Sequence, residues 1–375
     1  MKQLTCCEYA DAQTRTMHFT TLQFSRSKPG DRLNKITALT LIAALGGTLT
    51  HAIAQQPAPL PPAAQPATTA QNTTMSTAVT AAPGAVQDPA IAEQAEFEKL
   101  LRAQVLLERI YLSPGELDGA YGSNMRQALN TFQAVRKLPV TGKLDDATWN
   151  ALATDTTPTL AEYALIPEDV EGPFQPVPDT MMEKAKLAQL GYANVLEGLG
   201  EKFHASPELL QRLNPGKTFT RAGERIMVPN VSGKEPLAQA TKVVVRDGAK
   251  TLQLYDASGR LLAQYPASTG SSRDPLPIGT WKIEGVHANP VYNYNPKLFW
   301  DAKPGDKATP VKPGPNNPVG VMWIDLSKPH YGIHGTPVPG HVGKTESHGC
   351  IRLTNWSAAE VGAAVTAGTE VVLEK

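Results

Sequence analysis

Hydrophobic and polar positions recur with two different periods along this chain, and the switch between them divides the sequence. Phe97, Leu100, Leu101, Gln104, Leu107, Ile110 and Tyr111 fall mostly at helical spacing, as do Met125, Ala128, Leu129, Phe132 and Val135. Each stripe predicts an amphipathic helix. Gly115 and the pair Asp118-Gly119 mark the turn between them. A third short helix carrying Trp149 and Leu152 is predicted from Asp145 or Asp146, either of which can cap it. The three make a small all-α domain over residues 95–155. Further on, helical spacing returns over Asn194–Phe203 and again after Ser206-Pro207 with Leu209, Leu210 and Leu213. The segment Gly223–Pro229 then reads as a strand stopped by its proline, which predicts a small α+β module over 189–232.

From Thr241 the period changes to that of strands. Val243–Val245, Thr251–Tyr255, Leu261–Tyr265, Trp281–Ile283, Val321–Ile324 and Glu370–Leu373 are short and apolar, with turn residues such as Asp256–Gly259 between them. A helix is expected near Trp356–Thr366, and a long loop rich in Asn, Pro, Gly, Tyr and Trp runs from 286 to 320. Loops of that length are often binding surfaces. The predicted architecture is multidomain: a mainly β, sandwich- or barrel-like domain over 240–375, behind the all-α domain and the α+β module.

Between these units the pattern fades. Residues 55–94 are dominated by Pro, Ala, Thr and Gln and bury too little apolar surface to offset ordering entropy, so a flexible tether is expected. Residues 156–188 are Pro- and Thr-rich and read as a second linker. Before the tether, Arg32 and Lys35 precede a short apolar run from Ile36 to Thr48, followed by Ala52-Ile53-Ala54 and Gln55. Basic flank, short apolar run and small-x-small site predict a signal peptide with an extended leader over 1–54, too short in its apolar part to remain as a membrane span. Export to the periplasm or cell envelope follows, and the mature form is expected to carry no stable membrane span.

Composition narrows the chemistry. Lys+Arg and Asp+Glu number 35 each, so no broad electrostatic grip on nucleic acid or anionic membrane is expected. There are three cysteines, and removal of the leader takes Cys6 and Cys7 with it. The remaining thiol, Cys350, has no partner for a disulfide within its own chain in an oxidising compartment, which directs attention to its neighbours.

Four of the eight histidines, His330, His334, His341 and His348, fall close to it. The run is Tyr331-Gly332-Ile333-His334-Gly335-Thr336, a Gly/Pro-rich loop, then Ser347-His348-Gly349-Cys350-Ile351-Arg352-Leu353. Such a loop can turn back and bring an imidazole to the thiol. A cysteine nucleophile needs a base or a lowered pKa, and the base needs an orienter for its second nitrogen. The Gly335 carbonyl can orient His334. Gly349 permits a tight turn and is expected to leave its own N–H and that of Cys350 open to an oxyanion. Against this, Cys350 could be a small buried hydrophobe and His334 a satisfied loop histidine, with His330 and His341 solvent or loop residues.

The pattern H-G-T…S-H-G-C-I-R-L, with Ser268-Thr269-Gly270, Pro277–Thr280 and Asn317–Gly320 upstream, resembles the L,D-transpeptidase catalytic domain family, cysteine acyltransferases of the bacterial cell wall. The resemblance implies that Cys350 is the nucleophile, His334 the general base and His348 a residue that shapes the site. It implies substrate contacts from Arg352, Ser347 and Tyr331. Many family members carry Asn where this chain has Arg352; Arg also occurs in the family there, and it could clamp a stem-peptide carboxylate. No metal or organic cofactor is implied. Residues 97–153, with the Asp118-Gly119 and Tyr121-Gly122 turns and the Gly142…Thr148-Trp149 ending, resemble the peptidoglycan-binding three-helix repeat. Residues 189–231 resemble a lysin-motif module, departing from it at the front, where no opening strand is evident.

The resemblance thus implies attack of Cys350 on the L-centre carbonyl of residue 3 in a peptidoglycan tetrapeptide stem. D-Ala is released and the acyl group passes to an amine. The implied partners are stem peptides, glycan and an envelope lipoprotein as acceptor. Two other classes compete: a zinc hydrolase using the histidine cluster, for which no H-E-x-x-H or H-x-x-E-H run exists, and a non-catalytic wall-binding protein, against which the intact Cys and His argue.

Overall fold

The computed structural model describes residues 89–375. The expected leader over 1–54, with Cys6 and Cys7, and the tether up to residue 88 lie outside the described residues. The first helix starts before the expected end of that tether, since α1 spans Pro89–Arg109. Its opening residues, Ala90, Ala92, Glu93, Gln94 and Ala95, are strong helix formers behind a proline at the first position.

With α2 (Ser123–Val135) and α3 (Asp146–Leu152), α1 forms the expected three-helix domain. Asp145 caps α3 by accepting the Thr148 N–H. The length of α1 reflects two buried faces. Ala103, Leu106 and Leu107 pack against Met125, Leu129 and Phe132 of α2. Phe97, Leu101 and Val105, spaced by four and so on one stripe, pack instead into the core of the next module.

That module corrects the sequence reading. Its strands are β1 (Leu160–Ala164) and, after α4 (Pro167–Val170), α5 (Met181–Lys184), α6 (Val195–Phe203) and α7 (Pro207–Leu213), β2 (Arg225–Pro229). β1 pairs antiparallel with β2 from Leu160↔Pro229 to Ala164↔Arg225. Residues 156–188 are therefore not a linker throughout, and the module begins well before 189. Five residues flanked by Pro and Thr carry too little pattern to be seen without their distant partner. The two helices stand where predicted, because Asn194 and Ser206 cap them by accepting the N–H groups of Glu197 and Leu209.

The C-terminal domain comprises β3 (Lys242–Arg246), β4 (Thr251–Tyr255), β5 (Leu261–Pro266), β6 (Gly279–Ala288), β7 (Tyr292–Tyr294), β8 (Thr309–Val311), β9 (Met322–Leu326), β10 (Gly332–His334), β11 (Ile351–Arg352), α8 (Asn355–Ala364) and β12 (Glu370–Glu374). Eight strands form one curled sheet in the order β11-β10-β9-β6-β12-β3-β4-β5, and β7-β8 stand apart as a hairpin. The mainly β domain expected from the sequence is thus built on one curled sheet. β6 makes the bend: its first half pairs with β12, its second with β9, and the register shifts between Ile283 and Gly285. Val243, Leu252, Ile324, Ile333, Ile351 and Val371 form the core with Ala358 and Val361 of α8.

The outer edge of β5 is covered. Ser113 N–H donates to the Gln264 carbonyl at 2.8 Å and Gln264 N–H to the Tyr111 carbonyl at 2.7 Å, so the chain leaving α1 runs along that edge. Buried charges add a second joint. Glu108 Oε1 lies 2.9 Å from His204 Nδ1 and 3.1 Å from Lys234 Nζ, which also reaches Glu360 at 2.6 Å.

Candidate active site

The site begins at β10 and β11. They run parallel, with Ile333 opposite Ile351 and His334 opposite Arg352. Side chains alternate along a strand, so Arg352 and the residue two before it, Cys350, project to the side that His334 occupies. The loop of 335–349 closes this parallel pair, bringing together two residues remote in sequence. His334, Cys350, Arg352, Ser347, His348, Thr336 and Trp323 all line one cleft of about 430 Å³.

His334 is buried, and its orientation is fixed from several directions. Its Nδ1 lies 2.6 Å from the Gly335 carbonyl oxygen. A carbonyl only accepts, so Nδ1 carries the proton and Nε2 keeps its lone pair. The Trp323 ring stacks on the imidazole at 5.6 Å and 22°. Leu353 N–H donates to the His334 carbonyl at 2.8 Å, and Gly335 N–H to that of Met322 at 3.2 Å. Burial and the neighbouring Arg352 guanidinium push the imidazole down to about 3, against a smaller opposing effect of the Gly335 hydrogen bond. It is neutral at physiological pH.

Cys350 is buried, with Sγ 3.9 Å from the His330 carbonyl oxygen. The turn before it is stapled by Ser347, whose Oγ donates to the Cys350 carbonyl at 2.6 Å and accepts the Gly349 N–H at 3.2 Å. This corrects one expectation: the Gly349 N–H is taken by Ser347 and does not face an oxyanion. Glycine is required at 349 for another reason. Its φ is +105°, and a Cβ there would lie 2.9 Å from the Tyr331 ring. Tyr331, expected at the substrate, is instead a core residue beneath that glycine and is not part of the cleft wall.

His348 is half-buried in the cleft wall. Its Nε2 is 3.1 Å from Asp301 Oδ2, and its ring lies against Phe299 at 5.5 Å and Trp300 at 5.7 Å. Trp300 is tied down in turn by the Arg273 guanidinium over its ring and by Asp274, which accepts its Nε1–H at 3.0 Å. The long loop expected from 286 to 320 thus supplies a wall, and Asp301 is a site residue the sequence reading missed. Its signal was weak: an acid after an aromatic pair in an irregular segment. His341 lies on the outer loop, in a single 3-10 turn over Pro339–His341.

Arg352 and Ser347 both line the cleft, and the Ser347 hydroxyl is also the staple just described. Asp179, Thr180 and Met181 from the middle module complete the wall, again unforeseen. Among the described residues no three His, Cys, Asp or Glu side chains are grouped to hold a metal ion, and no helix is long and apolar enough to cross a membrane.

Residues 240–373 match the family model described as "L,D-transpeptidase catalytic domain", and residues 98–152 that described as "Putative peptidoglycan binding domain". Similar proteins include "Putative L,D-transpeptidase YkuD" of Bacillus licheniformis, 29% identical over 187 residues that cover 49% of this chain and 96% of the relative. "Probable L,D-transpeptidase YbiS" of Escherichia coli strain K12 is 25% identical over 186 residues, 49% of this chain and 56% of the relative. Among solved structures, the catalytic domain of an E. faecium L,D-transpeptidase is 18% identical and covers 36% of this chain and 97% of its own, with a TM-score of 0.28.

Proposed function

The chain carries an L,D-transpeptidase catalytic domain, of the cysteine acyltransferase class, behind a peptidoglycan-binding domain, and from that premise we propose that it exchanges acyl groups on peptidoglycan stem peptides outside the cytoplasm. Cys350 attacks the L-centre carbonyl of the third residue of a tetrapeptide stem. His334 is neutral at rest, so its Nε2 takes the thiol proton as the sulfur approaches the carbonyl rather than beforehand. The imidazolium returns that proton to the departing D-Ala amine, and a thioester remains on Cys350. An amine from a second stem or an envelope lipoprotein then attacks the thioester, gives its proton to His334 and releases the sulfur. Water is the competing acceptor. Arg352 holds a carboxylate of the stem, and His348, set by Asp301, shapes the cleft wall.

The observation that carries this reading is the parallel register of β10 and β11, which puts His334 and Cys350 in one cleft with His334 Nδ1 bound to a carbonyl. The helical domain fits an insoluble substrate, because a tether to the polymer raises the local concentration of enzyme near its stems.

The test is incubation of the full chain with purified disaccharide-tetrapeptide, products read by mass. A dimer joined through residue 3 of both stems, or a tripeptide with free D-Ala, is the expected outcome, and Cys350→Ala should give neither. Intact substrate after incubation with a folded wild-type protein would overturn the reading.

A further inference from the structure

The catalytic cleft is not built by the catalytic domain alone. Residues 173–191 of the middle module lie against the β7-β8 hairpin. Leu190 is buried with Tyr294 and Val311, and Val177, Met181, Ala185 and Leu187 pack around them. The backbones are joined: Leu190 N–H donates to the Pro313 carbonyl at 2.9 Å, and Asn316 N–H to that of Leu190 at 3.0 Å. At Gly314 a side chain is excluded outright, since a Cβ would lie 2.1 Å from the Leu190 oxygen. Asn316 Nδ2 donates to the Gly191 carbonyl at 2.9 Å. This strap carries Asp179, Thr180 and Met181 to the cleft that contains Cys350.

Three carboxylates line that cleft: Asp179, Asp301 and Asp306. Asp301 is engaged with His348, and Asp306 accepts the Tyr294 hydroxyl at 2.7 Å. Asp179 is exposed and accepts no hydrogen bond among the described residues; Lys184 lies within electrostatic range. The cleft therefore has cationic elements in Arg352 on β11 and Lys303 on the long loop, and on the strap a carboxylate that accepts no hydrogen bond among the described residues. A stem that donates at residue 3 is a copy of the stem that accepts, so if it is to serve in both roles it carries a side-chain amine beside the carbonyl that Cys350 attacks.

Resting on the transpeptidase reading, we propose that Asp179 is a specificity-determining residue for the donor stem: it receives a side-chain ammonium on the residue that bears the scissile carbonyl, so that the middle module selects the peptide that the catalytic domain cleaves. An ion pair at an exposed cleft wall is modest, and discrimination of roughly threefold or more is the scale expected.

The test uses the full chain and two synthetic tetrapeptide stems, one with lysine and one with norleucine at residue 3, with D-Ala release followed at several salt concentrations. Wild-type protein should prefer the lysine stem in kcat/KM, and the preference should shrink as salt is raised. Asp179→Asn should bring the ratio towards one by lowering kcat/KM for the lysine stem only, Asp179→Glu should keep it, and Asp179→Lys should invert it. Equal loss on both stems in Asp179→Asn, or a wild-type preference insensitive to salt, overturns the proposal while leaving the transpeptidase reading intact. No turnover of either stem by wild-type protein would instead sink the reading on which it rests.

Discussion

Asn124, near the start of α2 in the helical domain, donates through Nδ2 to the Val342 carbonyl oxygen at 2.9 Å. Val342 belongs to the loop between His334 and Cys350, so a residue of the helical domain holds the segment that joins the imidazole to the thiol. The contact is close on both sides, since a Cβ on Gly343 would meet Asn124 Oδ1 at 2.3 Å and one on Gly340 would meet Glu116 Oε2 at 2.8 Å. Loss of one such hydrogen bond is worth about 0.5–1.5 kcal/mol. Asn124→Ala should therefore lower kcat roughly two- to tenfold while cosedimentation with purified peptidoglycan stays unchanged. An unaltered kcat would show that the loop holds its shape without this brace.

The neutral state of His334 has a consequence for acid stability. Burial first, then the Arg352 charge, puts the folded imidazole at about 3, below its ordinary value of 6.5. Between those two values the unfolded chain binds a proton that the folded chain does not. The stabilising contribution is therefore present above about pH 6.5 and is lost as pH falls towards 3, at up to about 1.4 kcal/mol per pH unit. Urea midpoints measured from pH 7 to pH 4 should fall less steeply for His334→Gln than for wild type. Parallel slopes would mean that the imidazole titrates normally in the fold.

Glu201 carries the opposite sign. Burial pushes its carboxyl up to about 8, with the Glu197 and Glu116 charges adding to the effect and the hydrogen bond from Asn355 opposing it. Here the folded chain holds the extra proton, so the contribution is complete below the unfolded value of 4.5 and is lost as pH rises through about 8. Asn355 Nδ2 donates to Glu201 Oε1 at 2.8 Å, a bond that a glutamine side chain can also accept. Glu201→Gln should keep the fold and remove part of the decline in melting temperature between pH 6 and pH 9. A variant that declines as steeply as wild type would assign that loss elsewhere.

What the sequence discloses follows from how local each feature is. Asp145, Asn194 and Ser206 mark their helices because the cap is made three residues away. The thiol and the imidazole are legible because the chemistry demands their residue types in one short run. β1 has its partner more than sixty residues on, and β10 and β11 have three residues and two, too few for an alternating pattern. Asp301 and Asp179 are ordinary loop acids until packing of the loop and the strap delivers them to the cleft. Tyr331 looks like a cleft aromatic by position, and only the missing side chain at Gly349 lets its ring pass beneath the turn into the core.

Ser347 offers a choice between two roles that kinetics can separate. As a substrate contact, its loss would raise KM and leave the fold alone. The hydrogen bonds around it give it a structural role instead, since one hydroxyl joins the Gly349 N–H to the Cys350 carbonyl and so sets the turn on which the sulfur is carried. Ser347 is itself anchored, its N–H donating to the Thr269 carbonyl at 2.8 Å. Removing the hydroxyl leaves a donor and an acceptor without their partner, at a cost of about 1–3 kcal/mol for a buried polar group. Ser347→Ala should accordingly lower both the melting temperature and kcat, the latter about tenfold or more for a displaced nucleophile, with KM little changed. A raised KM with unaltered melting and kcat would return Ser347 to the role of a substrate ligand and leave the turn to be held by the backbone alone.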